Sequence, residues 1–168
     1  MPVDDQTEVF YLVDEDDQVI GSVTRKIAHS DRSKIHRAVD ILVKNSNKIL
    51  LQKRSSQKDT FPGFWTISAG GHVSYGETYE QAAQRELKEE LGVDSELNIL
   101  GKKLFDTGAE QEYSTVYETT YSTNNFNLDQ TEVKEIAWIE IDKLAQFIAD
   151  NNVTPSAKQS LMFAGYIK

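Results

Sequence analysis

The alternation of hydrophobic and polar positions predicts four short strands in the first third of the chain. They span 9–17, 18–25, 36–45 and 48–55, with turns at the Asp and Asn clusters 14–17 and 45–47. The runs VDILV at 39–43 and ILL at 49–51 predict central, buried strands. Further strands are predicted at 96–105, 114–123 and 134–141, helices at 141–151 and 155–166, and an irregular loop over 55–72.

The segment 78–91 has the most complete set of helix signals. Thr78, followed three residues later by Gln81, forms a capping-box pattern at the start. Gly92 stands where a helix commonly ends in a left-handed residue. Ala83, Leu87 and Leu91 recur at four-residue spacing and predict the buried face.

Strands interleaved with helices predict an α/β fold with a mixed sheet covered on both faces. The length of 168 residues fits one domain spanning 1–168, since no linker, repeat or low-complexity tract divides the chain. The apolar stripe Leu161, Phe163 and Ala164 on the last helix predicts either internal packing or a homodimer contact.

Composition limits the classes of function. No apolar run approaches 18 residues and the first ten residues lack a basic-then-apolar pattern, so we expect no membrane span and no signal peptide. The absence of cysteine excludes disulfides and thiolate metal sites and fits a cytoplasmic location. The net charge of −9 disfavours nucleic-acid polymers. An anionic small-molecule substrate would need local basic residues or bound cations.

Three glutamates, Glu86, Glu89 and Glu90, fall within five positions of the predicted helix and share one face. A solvated acidic face is one interpretation. However, Glu86 and Glu90 repel at i, i+4, costing roughly 0.2–0.5 kcal/mol, and both lie in the half of the helix that disfavours anions. The other interpretation is a site for Mg²⁺ or Mn²⁺, in which a hard cation converts the repulsion into coordination.

The segment 71–93 resembles the Nudix box, G-x5-E-x7-R-E-U-x-E-E-x-G-U, where U is a bulky aliphatic residue. All nine fixed positions agree: Gly71, Glu77, Arg85, Glu86, Leu87, Glu89, Glu90, Gly92 and Val93. The resemblance implies an α/β/α sandwich and hydrolysis of a nucleoside diphosphate derivative or a related diphosphate. It further implies Mg²⁺ or Mn²⁺ held by the three glutamates and the Gly71 carbonyl. Arg85 would orient the glutamates, and Glu77 would brace the loop against the helix.

The segments 13–29, 36–38, 49–55 and 61–72 also resemble isopentenyl-diphosphate isomerase, a relative with the same fold. In that family three histidines and two glutamates hold one metal ion. The matching residues here are His29, His36, His72, Glu110 and Glu112. Arg54 and Lys58 match basic residues that grip the diphosphate, although ordinary surface charge is an equally good interpretation of both.

Two departures favour hydrolysis over isomerisation. The isomerase requires a cysteine to move a proton at a double bond, and this chain has Gly70 there and no cysteine at all. The chain also keeps the complete set of box glutamates. We therefore expect an isomerase-like Nudix hydrolase, with a prenyl diphosphate isomerase and a non-catalytic binding module as the alternatives. The histidine cluster would then be a second metal site or only structural.

Two further residues have open interpretations. Trp65 could stack on a base or cover an isoprenoid tail, although core packing is more common for such a ring. Glu132 could assist at a metal or water, or could be a turn carboxylate.

Overall fold

A computed structural model describes residues 4–168 of the protein. The strands are β1 (Val9–Val13), β2 (Val19–Thr24), β3 (His36–Asn45), β4 (Lys48–Arg54), β5 (Trp65–Thr66), β6 (Ala69–His72), β7 (Asn98–Asp106), β8 (Gln111–Thr120) and β9 (Val133–Glu140). The helices are α1 (Arg25–Ala28), α2 (Tyr79–Leu91), α3 (Leu144–Asp150) and α4 (Pro155–Phe163), with a single 3-10 turn at Ile141–Lys143.

Strand β3 is the centre of a mixed sheet. It runs parallel to β8 over nine residue pairs, from His36 opposite Glu112 to Lys44 opposite Thr120. On its other side it pairs antiparallel with β6 and, near its end, with β4. The remaining strands extend the sheet outward: β2 pairs with β1, β9 pairs with β4, and β7 pairs with β8. The ends of β1 and β6 and the start of β8 therefore lie together beside the start of β3.

Helices cover both faces of this sheet, which confirms the predicted α/β/α arrangement. Along β3 the side chains alternate, so Val39, Ile41 and Val43 pack under α2. Leu42 points the opposite way, into a second core that Leu144 and Leu161 complete from α3 and α4. Both runs predicted as central strands are fully buried apart from Asp40, which is 8% exposed.

Helix α2 begins and ends as the sequence predicts. The Thr78 hydroxyl accepts from the Gln81 amide, and the Gln81 side chain accepts from the Thr78 amide. Gly92 ends the helix with φ of 68°. Within residues 4–168, no helix has the combined length and apolarity needed to cross a bilayer.

The expectation of an irregular loop over 55–72 is wrong in its second half, which contains β5 and β6. Gly70 and Gly71 pair with Asp40 and Val39 of β3. A Cβ at Gly70 would lie 2.7 Å from the Val39 carbonyl oxygen, so this close pairing depends on glycine. The first strand is also shorter than predicted and ends at Val13, and the short helix α1 was not predicted.

Candidate active site

A cavity of about 270 Å³ opens where β6, the loop after β4, the start of β8 and one face of α2 meet. Its lining is mostly charged or polar. Of the predicted site residues, the lining includes Arg54, Lys58, Gly71, His72, Arg85, Glu86, Glu89, Glu90, Glu110 and Glu112. The structure thus brings the three clustered glutamates of the box, the two basic residues and part of the histidine cluster into one cavity.

The three clustered glutamates of α2, Glu86, Glu89 and Glu90, differ in environment. Glu90 is 5% exposed, and one of its oxygens accepts from the Gln52 amide at 2.5 Å and from the Gly70 amide at 3.3 Å. Burial raises the pKa of Glu90 well above its usual range, and the neighbouring Glu86 and Glu132 raise it further. Burial likewise raises the pKa of Glu86 to about 7, against the opposing effect of Arg85. The Glu89 side chain is 57% exposed.

Arg85 links the helix to the loop that precedes it. It donates to both carboxylate oxygens of Glu77, at 2.7 and 3.0 Å, and to the His72 carbonyl at 3.1 Å. It also donates to Glu86 at 2.7 Å and to Glu89 at 3.3 Å. Arg85 therefore connects Glu77 and the loop to two of the clustered glutamates, while the roles that the box resemblance implies for Arg85 and Glu77 stay a prediction.

Gly71 allows the loop to approach Glu86. A Cβ on Gly71 would lie 2.6 Å from Glu86 Cδ, so no larger residue fits without displacing the carboxylate. Crowded, buried carboxylates beside a bare backbone form an all-oxygen donor set, which suits Mg²⁺ or Mn²⁺. Burial is the main cause of the raised pKa values of Glu86 and Glu90, and a divalent cation would offset the like-charge repulsion that adds to it.

A second group of possible metal ligands borders the same cavity, which His72, Glu110 and Glu112 help to line. One donor atom from each of four residues falls within 4.8 Å of the others; they are His29, His36, His72 and Glu110. Glu112 adjoins them, with Oε1 3.2 Å from His72 Nε2 and 3.7 Å from His36 Nε2. Phe10 stacks on His72 with 4.4 Å between ring centroids and covers the group from one side.

The histidine group fits a metal ion on two physical grounds. Among the described residues 4–168, His29 Nδ1, His36 Nε2 and Glu110 Oε2 have no hydrogen-bond partner although all three atoms are buried. This is unusual for polar atoms unless an ion or water satisfies them. Burial and neighbouring positive charges lower the pKa of His29 to about 3, so its imidazole stays neutral and can bind a metal. Three nitrogens with carboxylate oxygens suit a transition metal better than Mg²⁺.

The basic residues are already paired. Arg54 donates to the Thr60 carbonyl at 3.0 Å, and Lys58 donates to Glu132 at 2.6 Å. Glu132 therefore lies in the cavity wall and is more than a turn carboxylate. Trp65 is not brought to the cavity, because its ring packs edge-on against Phe147 with 5.2 Å between centroids.

Some residues of the cavity were missed by sequence reasoning. Arg25 contacts His72 Nδ1 at 3.2 Å and pairs with Asp59 at 2.9 Å. The only feature of the sequence that could have indicated Arg25 is its place four residues before His29. Asp40 has a clearer signal, since a lone carboxyl group inside the buried run VDILV is rare unless it is partnered. It accepts from Ser114 at 3.0 Å and from Ser160 at 2.5 Å, and burial raises its pKa to about 7.

Comparison with known proteins places these features in a family. A family model described as the NUDIX domain matches residues 34–160. A Nudix hydrolase of Pseudomonas aeruginosa without assigned activity is 32% identical over 156 residues, covering 92% of this chain and 91% of its own. Isopentenyl-diphosphate Delta-isomerase 2 of Photorhabdus laumondii is 35% identical over 148 residues, covering 84% of this chain and 82% of its own.

A solved structure extends the likeness to the fold. The crystal structure of a Deinococcus radiodurans protein superposes with a TM-score of 0.79 at 24% identity, covering 96% of this chain and all of the other. The matched family model spans most of the chain and includes the glutamates of α2 and most of the residues that line the cavity around them. The chain therefore belongs to the Nudix hydrolase family.

Proposed function

We propose that the protein hydrolyses a diphosphate linkage in a nucleoside diphosphate derivative or a related small organic diphosphate, using Mg²⁺ or Mn²⁺. The observation that carries this proposal is the meeting of Glu86, Glu89 and Glu90 with Arg54 and Lys58 in one cavity. Such a site provides carboxylates for a divalent cation and cations for phosphate oxygens.

The side chains of the cavity would have different roles in phosphorus–oxygen cleavage. A divalent cation bound among the glutamates would neutralise charge on phosphate oxygens and lower the pKa of a water molecule. Arg85 holds the carboxylates of Glu86 and Glu89 in place from one side. Arg54 and Lys58 can orient the diphosphate, since phosphoryl transfer depends chiefly on positioning and electrostatic stabilisation. One of Glu86, Glu89 and Glu90, or Glu132, would accept the proton of the attacking water.

Isomerisation of a prenyl diphosphate is the second candidate, favoured by the assembled histidine and glutamate group. The relative named as an isomerase also supports it. However, residue 70 contributes no side chain that could transfer a proton. The 2.7 Å approach of a Cβ to the Val39 carbonyl also leaves no room for one in this backbone arrangement. These points favour hydrolysis.

A substrate panel tests the proposal. Phosphate and pyrophosphate release would be measured with Mg²⁺ or Mn²⁺ on nucleoside di- and triphosphates, nucleotide sugars, dinucleotides and prenyl diphosphates. Each reaction would be repeated with chelator and followed for isopentenyl isomerisation. We expect metal-dependent cleavage of one substrate class and no isomerised product. Isomerisation without cleavage would replace the hydrolase proposal with the second candidate.

A further inference from the structure

The carboxylate of Asp4 is held inside the cavity wall by a set of donors that would suit a phosphoryl group. Its side chain is only 5% exposed. It is paired with Lys58 Nζ, lies 3.3 Å from Arg25 Nη2, and accepts from the backbone amide of Asp59 at 2.8 Å. Two cationic groups and one backbone N–H that converge on one anion form an anion-binding cradle.

The cradle holds more negative than positive charge. Its two cations, Arg25 and Lys58, contact four carboxylates, which belong to Asp4, Glu8, Asp59 and Glu132. A diphosphate would bring at least two further negative charges. Inside a poorly solvated cavity that addition is strongly unfavourable unless a carboxylate leaves the cradle.

Asp4 is the carboxylate that can leave at the least structural cost. The main chain of Glu132 is tied to the loop after β4, because its carbonyl accepts from the Ser55 amide at 2.8 Å. Asp59 is fixed by two hydrogen bonds from Arg25, both at 2.9 Å. Glu8 is tied to the sheet, because its carbonyl accepts from the Arg25 amide at 2.8 Å. Within residues 4–168, the main chain of Asp4 is tied only by the Gln6 side chain, which donates to its carbonyl at 3.1 Å.

We propose that Asp4 is an internal competitor for this cradle, and that a phosphoryl group of the substrate binds to Lys58, Arg25 and the Asp59 amide by displacing it. This inference rests on the proposed diphosphate hydrolase function, because it assumes an anionic substrate in the cavity. The segment before β1 then limits affinity for diphosphates, since the binding-competent form is only part of the population.

Binding of inorganic pyrophosphate, followed by calorimetry, tests the proposal without any turnover. The variant is Asp4→Asn, and the matched control is Asp5→Asn. Asp5 is exposed and also lines the cavity, but within residues 4–168 its carboxylate bonds only to Thr7 and not to the cradle. We expect Asp4→Asn to bind pyrophosphate about tenfold more tightly than the wild type and Asp5→Asn to change affinity little. In a Lys58→Met background, the gain from Asp4→Asn should disappear.

Displacement itself can be followed by hydrogen exchange of the peptide that contains residues 4–8. Pyrophosphate should speed its exchange in the wild type. Equal affinities of the Asp4→Asn and Asp5→Asn variants, weaker binding by Asp4→Asn, or no detectable binding to any variant would overturn the proposal. Tighter binding by Asp4→Asn without hydrolysis of any substrate would uphold the competitor and reject the hydrolase function instead.

Discussion

The carboxylate of Glu86 occupies the space that a side chain on residue 71 would need, since a Cβ added to Gly71 would lie 2.6 Å from Glu86 Cδ. The glycine that opens the box motif and the first of its clustered glutamates are therefore one spatial unit, although fifteen positions separate them. The absence of a side chain on Gly71 keeps the carboxylate against the β6 backbone, where both can face the same cation.

Gly71→Ala should abolish catalysis while leaving the fold largely intact. The added methyl must push Glu86 away, at a cost of about 1–3 kcal/mol in unfolding free energy, and hydrolysis should fall at least 100-fold. Gly21→Ala is the matched control, because its Cβ would meet only Leu12 Cδ2 at 3.9 Å. Steady-state kinetics with thermal unfolding of both variants gives the answer. Near wild-type turnover in Gly71→Ala would show that Glu86 does not need its present position.

Gly70→Cys should not create an isomerase in one step. Its Cβ would approach the Val39 carbonyl to 2.7 Å, so β6 must separate from β3 to accept any side chain. We expect both Gly70→Cys and Gly70→Ala to be destabilised by a similar amount, on the order of 1–3 kcal/mol, and to be inactive on isopentenyl diphosphate. Thermal unfolding and a product assay would check this. Isomerisation by the cysteine variant alone would mean that the backbone adjusts more easily than this packing allows.

Asp40→Asn should become more stable than the wild type as the pH rises. Burial raises the pKa of Asp40 to about 7 from 3.8, so the native state holds a proton that the unfolded state releases between these values. The contribution of the neutral carboxyl group is complete below pH 3.8 and is lost as the pH rises through about 7. The advantage of asparagine should grow across this window by roughly 4 kcal/mol and then level off.

Denaturant unfolding at pH 4 to 8 measures this difference, with the exposed Asp16→Asn as the control. The wild type and both variants carry the same histidines, so histidine titration cancels in the comparison. A constant difference between Asp40→Asn and the wild type at every pH would show that the carboxyl group titrates normally.

The histidine group should bind a transition metal independently of the box glutamates. Its buried, unpaired donor atoms predict that Mn²⁺ or Zn²⁺ raises the unfolding temperature, and that His36→Ala weakens this binding at least tenfold. Glu90→Gln leaves the histidine group intact and should retain the effect. Metal titrations by calorimetry would follow the site directly. Unchanged affinity in His36→Ala would assign the group a purely structural role.

The parts of the fold that the sequence predicts are those whose signals are local. Helix α2 carries its own caps at Thr78 and Gly92, and its apolar spacing fixes the buried face. Strands β5 and β6 were missed because they are only two and four residues long. Gly70 and Gly71 show no strand propensity and become β-structure only by pairing with β3.

The candidate site divides in the same way. The box glutamates have a recognisable spacing, so they were found from the sequence. Asp4 and Lys58, which form an ion pair, are 54 positions apart in the sequence. Asp40 and Ser160, which form a hydrogen bond, are 120 positions apart. No local sequence pattern predicts either contact. The sequence places Trp65 in a loop beside the box, but the residue lies in β5 and its ring packs against Phe147 of α3.

The most direct test of the central claim compares metal-dependent hydrolysis by the wild type, Glu90→Gln and Glu96→Gln. Glu90 is buried in the cavity, whereas Glu96 lies outside it and past the end of α2. With the substrate class identified by the panel, we expect Mg²⁺- or Mn²⁺-dependent release in the wild type and Glu96→Gln, and a loss of at least 100-fold in Glu90→Gln. Equal release by all three proteins would contradict the assignment of the α2 glutamates to the catalytic metal site.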